Sequence, residues 1–139
     1  MDPVTGLSLG RIAVGVVSVA KPELAGKLFQ LDVAGNRQLP YMTRMFGSRE
    51  IAIGVLTLVS SGKARRRLVL AGIGIDTADA GASIVASQNG SLSKPAGAIL
   101  TAPAVGAVAA GISWLVTDRR ARKAAKRAAR LELVQPVAA

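Results

Sequence analysis

The chain has no cysteine and no histidine. Those two absences exclude disulfide scaffolds, thiol nucleophiles, zinc sites of the Cys/His type, iron–sulfur clusters, and Ser-His-Asp or Cys-His catalysis. Aromatic residues are scarce: only Phe29, Tyr41, Phe46 and Trp114 occur. Charged residues make up 19% of the chain, against about 25% in ordinary soluble domains. With 139 residues there is room for a single domain.

Val, Ile, Leu, Ala and Gly take the place of the missing types. The charges cluster, and between the clusters lie four apolar stretches, at about residues 4–20, 45–61, 68–86 and 97–116. Each has roughly 17–20 residues, which at 1.5 Å per residue gives about 25–30 Å, the thickness of a bilayer core. Four such runs leave too little polar chain to cover a soluble globule. The expected fold class is therefore all-α: four transmembrane helices in a small bundle over residues 1–117, followed by a basic helical tail over residues 118–139. Met1-Asp2-Pro3 places an acid where a signal peptide needs a basic region, and Arg11 interrupts the apolar run, so the first stretch reads as a structural helix.

The connections differ in kind. Residues 21–44 contain Lys21-Pro22, Gly35-Asn36 and Leu39-Pro40, all breaking signals. Within them Leu24, Leu28 and Leu31 have helical spacing, consistent with a short interfacial helix over residues 23–33 that puts Phe29 at headgroup depth. Gly62 to Arg67 is a tight basic turn, and Ser87 to Pro95 is a polar turn with little charge.

Basic residues orient a membrane protein, because cytoplasmic segments carry the excess of Lys and Arg. One side would hold Lys63, Arg65, Arg66 and Arg67 together with Arg119, Arg120, Arg122, Lys123, Lys126, Arg127 and Arg130. The other would hold only Lys21, Lys27, Arg37, Arg44 and Lys94. This asymmetry predicts a multi-pass protein of the cytoplasmic membrane with both termini in the cytoplasm. The seven basic residues from Arg119 to Arg130 fall within an arc of about 160° on a helix, opposite Ala121, Ala124, Ala125, Ala128 and Ala129. Such a surface suits anionic lipid headgroups, at up to about 1 kcal/mol per basic residue; a topology signal on a solvated helix explains it equally well. No aromatics interleave with these charges, so a nucleic-acid partner is not expected despite the net charge of +10.

Charge inside a bilayer is costly and turns toward the protein interior. Five such residues occur: Arg11, Arg49, Glu50, Asp76 and Asp79. Ser8, Arg11, Gly15 and Ser18 share one helical face; so do Gly47, Glu50, Gly54, Thr57 and Ser61, and so do Gly72, Asp76, Asp79 and Ser83. On the last stretch the same projection selects Pro103, Gly106, Ala110, Ser113 and Thr117. Gly6 and Gly10 add a small-residue spacing that lets helices approach closely. By residue count Arg11 and Asp76 lie at matching depths, about 10 and 12 Å in, which pairs them. Three acids then face two arginines, and Asp79, nearest the midplane, is the acid expected to lack a partner. Structural ion pairs, proton or ion handling, and acid–base catalysis are all open to Asp76 and Asp79.

The segments Gly10-Arg11-Ile12-Ala13-Val14-Gly15, Lys21-Pro22, Phe46-Gly47-Ser48-Arg49-Glu50-Ile51-Ala52-Ile53-Gly54 and Asp76-Thr77-Ala78-Asp79 resemble a loose group of small, largely uncharacterised four-helix bacterial membrane proteins that includes DoxX-like ones. The resemblance spans residues 10–79 and implies a four-helix fold with an arginine near the start of the first helix; it implies no reaction. The basic Ala-rich tail departs from the plainest members.

No phosphate-binding glycine loop, no nucleophile motif and no metal cage is evident, so no cofactor, no metal and no catalytic residue is expected. The leading expectation is a non-enzymatic accessory or assembly partner of a larger membrane component. The alternative is a small transporter or a proton- or cation-handling protein using Glu50, Asp76 and Asp79.

Overall fold

Proline opens most of the helices. In the computed structural model, which describes residues 2–134 and side chains as far as residue 131, α1 (Pro3–Ala20) starts behind Asp2, whose Oδ1 accepts from the Val4 N–H at 3.2 Å. α2 (Pro22–Leu28), α3 (Leu39–Val59) and α5 (Lys94–Val134) carry Pro22, Pro40 and Pro95 in their first turns. There the missing N–H has no intrahelical partner to lose, and the fixed φ suits the helix. These prolines therefore start helices as well as ending the segments before them. α4 (Gly62–Gln88) follows α3 after a turn at Ser60–Ser61. The turn from α4 to α5 uses Gly90 at φ +81°, in the left-handed region where glycine alone is free of strain.

The expectation of four transmembrane helices in a small bundle is overturned. Among the described residues there are five helices, and three of them are long and apolar enough to cross a membrane: α1, α4 and the Lys94–Leu131 part of α5. The stretch at residues 45–61 lies in α3 as far as Val59, and the reason it fails is charge. Every 18-residue window of α3 contains Arg44, Arg49 and Glu50. The interfacial helix is the seven-residue α2, shorter than the leucine spacing implied. The domain boundary drawn after residue 117 falls inside α5, which continues through it unbroken; the tail's residues 135–139, like Met1, lie outside the described residues.

The helices associate as two tight antiparallel pairs, α1 with α3 and α4 with α5. Gly15 and Gly47 set the first contact: a Cβ added to either would lie 2.6 Å from the other's carbonyl oxygen. The Gly6/Gly10 spacing does not make it, since a Cβ on Gly10 meets nothing within 4 Å. Between the pairs the packing is looser, and polar contacts bridge it.

The burial pattern is inverted relative to a water-soluble protein. Among the described residues the buried apolar side chains are small: Val4, Ala25, Val69, Ala80, Ala96 and Ala107. Ser8, Arg11, Ser18, Thr43, Glu50, Thr57, Asp76 and Ser83 are buried beside them. Leu9, Val16, Leu56, Leu70, Ile84, Val105 and Ile112 face outward. Water would penalise that exterior, and a bilayer favours it. With the three long apolar helices, it defines a membrane-embedded protein.

Candidate functional site

The inward faces of α1, α3 and α4 carry the charges to one place. On α1 the buried positions are Val4, Ser8, Arg11, Gly15 and Ser18; on α3 they are Thr43, Gly47, Glu50, Gly54 and Thr57; on α4 they are Val69, Gly72, Asp76, Ala80 and Ser83. Each set repeats every three or four residues, as one helical face must. The face projected for α5 is different from the one the structure uses. Pro103, Gly106, Ser113 and Thr117 are exposed, and Ala96, Gly97, Ala107 and Gly111 are buried. Small residues surround this helix on all sides, so they carry no phase information, and it has no buried charge to supply one.

Arg11 lies at the centre. Its Nη1 donates to Glu50 Oε2 at 2.5 Å and its Nη2 donates to Asp76 Oδ2. All three side chains are 7% exposed. Arg49 forms a second centre, with Nη1 and Nη2 donating to Asp79 Oδ1 and Oδ2 at 3.3 and 2.6 Å. Its Nη2 also lies 3.4 Å from Glu50 Oε1. The charges therefore alternate along one chain: Asp76, Arg11, Glu50, Arg49, Asp79. The two ends sit one turn apart on α4, so the chain closes toward a ring. Asp79, expected to lack a partner, is held by both Nη atoms of Arg49. Counting one acid per arginine misses this, because a guanidinium has five donors in a fork and bridges two carboxylates. Among the described residues no group of three or more acidic side chains is placed to hold a metal ion; here the arginines stand between the acids.

Aromatic residues close the ring on one side. Arg49 lies over the Phe46 ring, 5.2 Å from its centroid. Phe29, just after α2, meets Phe46 edge-on at 6.1 Å. Phe29 thus packs on the aromatic ring that covers Arg49.

A cleft of about 490 Å³ opens onto the same ring, between α1, α4 and α5. Leu7, Val14, Ile99, Leu100, Pro103 and Ala104 line it with apolar surface. Arg11, Glu50, Asp76 and Asp79 form its polar floor. On the other side of Arg11 and Asp76, Ser8, Thr57 and Gly72 help to line a space of about 20 Å³, enough for one water.

A second ion pair joins helix ends. Arg65 Nη2 donates to Asp2 Oδ2 and to Thr5 Oγ1, the latter at 3.0 Å, and the guanidinium lies over Trp114 at 5.5 Å from its centroid. Sequence reasoning missed this group. Asp2 and Arg65 are 63 residues apart, and the only signal was their position in the opening turns of two parallel helices. The contact brings the start of α1, the start of α4 and the Trp114 region of α5 to one end of the molecule. Beyond it Arg119, Arg120, Arg122, Lys123, Lys126, Arg127 and Arg130 are all exposed on α5, and Arg122 pairs with Asp118 at 2.9 Å.

The site thus belongs to a membrane-embedded, all-helical protein with a polar interior. No family model, curated protein or solved structure matches the chain.

Proposed function

We propose that this protein is a non-enzymatic component of the cytoplasmic membrane that acts as an accessory or assembly partner of a larger membrane component. One observation carries the reading: all three carboxylates of the cluster, Glu50, Asp76 and Asp79, are already engaged by arginines of the same chain. A carboxylate bonded to a buried arginine is already serving a structural role. Ion pairs between helix hairpins instead fix one arrangement of an otherwise loose interface. The outward apolar face then offers surface to lipid and to a neighbouring membrane protein. Purification from the native host in mild detergent tests this: a larger membrane component should co-elute in fixed ratio. Elution of the chain alone, at every detergent tried, counts against it.

The basic end of the molecule supports an orientation. Lys63, Arg65, Arg66 and Arg67 share that end with Asp2 and with the root of the α5 extension. An excess of basic residues favours the cytoplasm, so this end of the molecule, to which α3 returns the chain by running antiparallel to α1, is assigned there. The exposed basic residues nearest the root of the extension, Arg119 to Lys123, then face anionic headgroups.

A second reading, a small transporter or proton- or cation-handling protein, is favoured by the cleft that reaches Glu50, Asp76 and Asp79. Proton- or cation-dependent flux in liposomes, lost in Asp79→Asn, distinguishes it from the first.

A further inference from the structure

We infer that the cleft between α1, α4 and α5 is a binding site for an apolar molecule carrying one ammonium group. The inference rests on neither reading above, since an accessory subunit and a transporter can each hold such a ligand.

Size and lining come first. A volume of about 490 Å³ lies within the range of small-molecule sites, which are mainly apolar with a few converging polar groups. Leu7, Val14, Leu100 and Pro103 provide the apolar walls. The polar groups converge on one floor.

Charge then selects the ligand. The ring holds three carboxylates and two guanidiniums, so one negative charge is in excess. An uncompensated charge in a low-dielectric interior is costly, and a single cation offsets it. Arg11, the arginine that lines the cleft, is committed to two carboxylates. The Nε–H of Arg49, unpartnered among the described residues, belongs to a side chain outside the lining, so an anionic group meets chiefly the three acids that repel it. The ring also has acceptors in reserve. Arg11 occupies Glu50 Oε2 and Asp76 Oδ2. Among the described residues no hydrogen bond reaches Asp76 Oδ1, and Glu50 Oε1 has only the 3.4 Å approach of Arg49. Both side chains are 7% exposed and line the cleft, so an N–H donor entering it meets acceptors that bulk water barely reaches. A hydrated metal ion suits the charge but not the apolar walls.

The test uses the full chain in nanodiscs of zwitterionic lipid, titrated with 4-phenylbutylamine, its neutral analogue 4-phenylbutanol and its acid analogue 4-phenylbutanoate, at a pH where the amine is protonated. Empty nanodiscs supply the partitioning baseline. The amine should bind saturably, one per chain, and roughly tenfold or more tighter than either analogue. Gly10→Leu should weaken it by a similar factor. Gly10 lines the cleft and has nothing within 4 Å of an added Cβ, so a side chain there enters the site without a clash at its base. Asp79→Asn, which removes the excess charge, should do the same while the melting temperature stays near that of the unaltered protein. If that variant does not fold, Gly10→Leu still decides the matter. Equal binding of the alcohol would mean that an acyl chain or other neutral filler occupies the cleft, and would overturn the assignment. So would amine uptake no greater than in empty discs, or full-strength binding by folded Gly10→Leu.

Discussion

Gly15 on α1 and Gly47 on α3 meet backbone to backbone, with room for neither to gain one carbon: the added Cβ would sit 2.6 Å from the opposite carbonyl oxygen. The obstacle is main chain, which cannot swing aside as a side chain can. The contact holds α1 against α3 and so positions Arg11, one turn from Gly15, beside Glu50, one turn from Gly47.

Gly15→Ala and Gly47→Ala should therefore each destabilise the protein, by about 1–3 kcal/mol for overpacking a close contact. Gly10→Ala is the matched control. It should be neutral or slightly stabilising, because alanine favours a helix by up to about 1 kcal/mol over glycine. Thermal unfolding in detergent reads all three, and equal behaviour of Gly10→Ala and Gly15→Ala would contradict the packing argument.

Removing a partner from Arg11 should be more damaging than removing one from Arg49. Asp76→Asn breaks a buried ion pair and leaves Arg11 with Glu50 alone, a loss of up to about 3 kcal/mol. Asp79, whose side chain is 36% exposed, should lose clearly less on conversion to Asn. Because Arg11 also holds Glu50, the double change Arg11→Met with Asp76→Leu should not rescue the single variant. Adding Glu50→Gln to that pair should recover part of the loss. Melting temperatures for the four variants rank them directly.

Orientation can be read by chemistry at single cysteines, since the chain has none of its own. With cysteine placed at Ser91 or at Ala128, an impermeant thiol reagent applied to intact cells should label position 91 and spare position 128. The reverse pattern would invert the assignment.

The basic extension should sense anionic lipid unevenly along its length. Taking Thr117 as its root, Arg119 to Lys123 lie within about 3–9 Å along the helix, and Lys126 to Arg130 at about 14–20 Å. Screening acts over about 8 Å at physiological salt. A fluorophore at position 121 should be quenched by anionic lipids with quencher-labelled headgroups, and more weakly as salt rises. One at position 129 should be quenched little. Equal quenching at both would mean that the extension lies flat.

The inward faces of α1, α3 and α4 were legible because each contains an ionisable residue among small and hydroxyl ones. In a chain this apolar, charge marks the interior. The depth match between Arg11 and Asp76 was legible for the same reason: it needs only the rise per residue. What could not be read was the sharing of Arg11 by two carboxylates, because sequence spacing says nothing about how a forked donor divides itself. The phase of α5 was hidden too, by alanines and glycines on every side. The apolar stretch at residues 45–61 looked like a span until its upstream neighbour Arg44 was counted within α3, where helix length is set by Pro40 and Ser60 and not by hydropathy.

The single helix α5 runs 41 residues from the cleft to the tip of the basic extension, with Pro103 lining the one and Arg130 near the other. Proline removes a backbone hydrogen bond and makes this the helix's point of easiest bending. From Pro103 to Arg130 is about 40 Å, so a bend of roughly 10° there carries the tip about 7 Å. A bend at Pro103, on the cleft wall, would thus move the positive charge at the far end of the same helix.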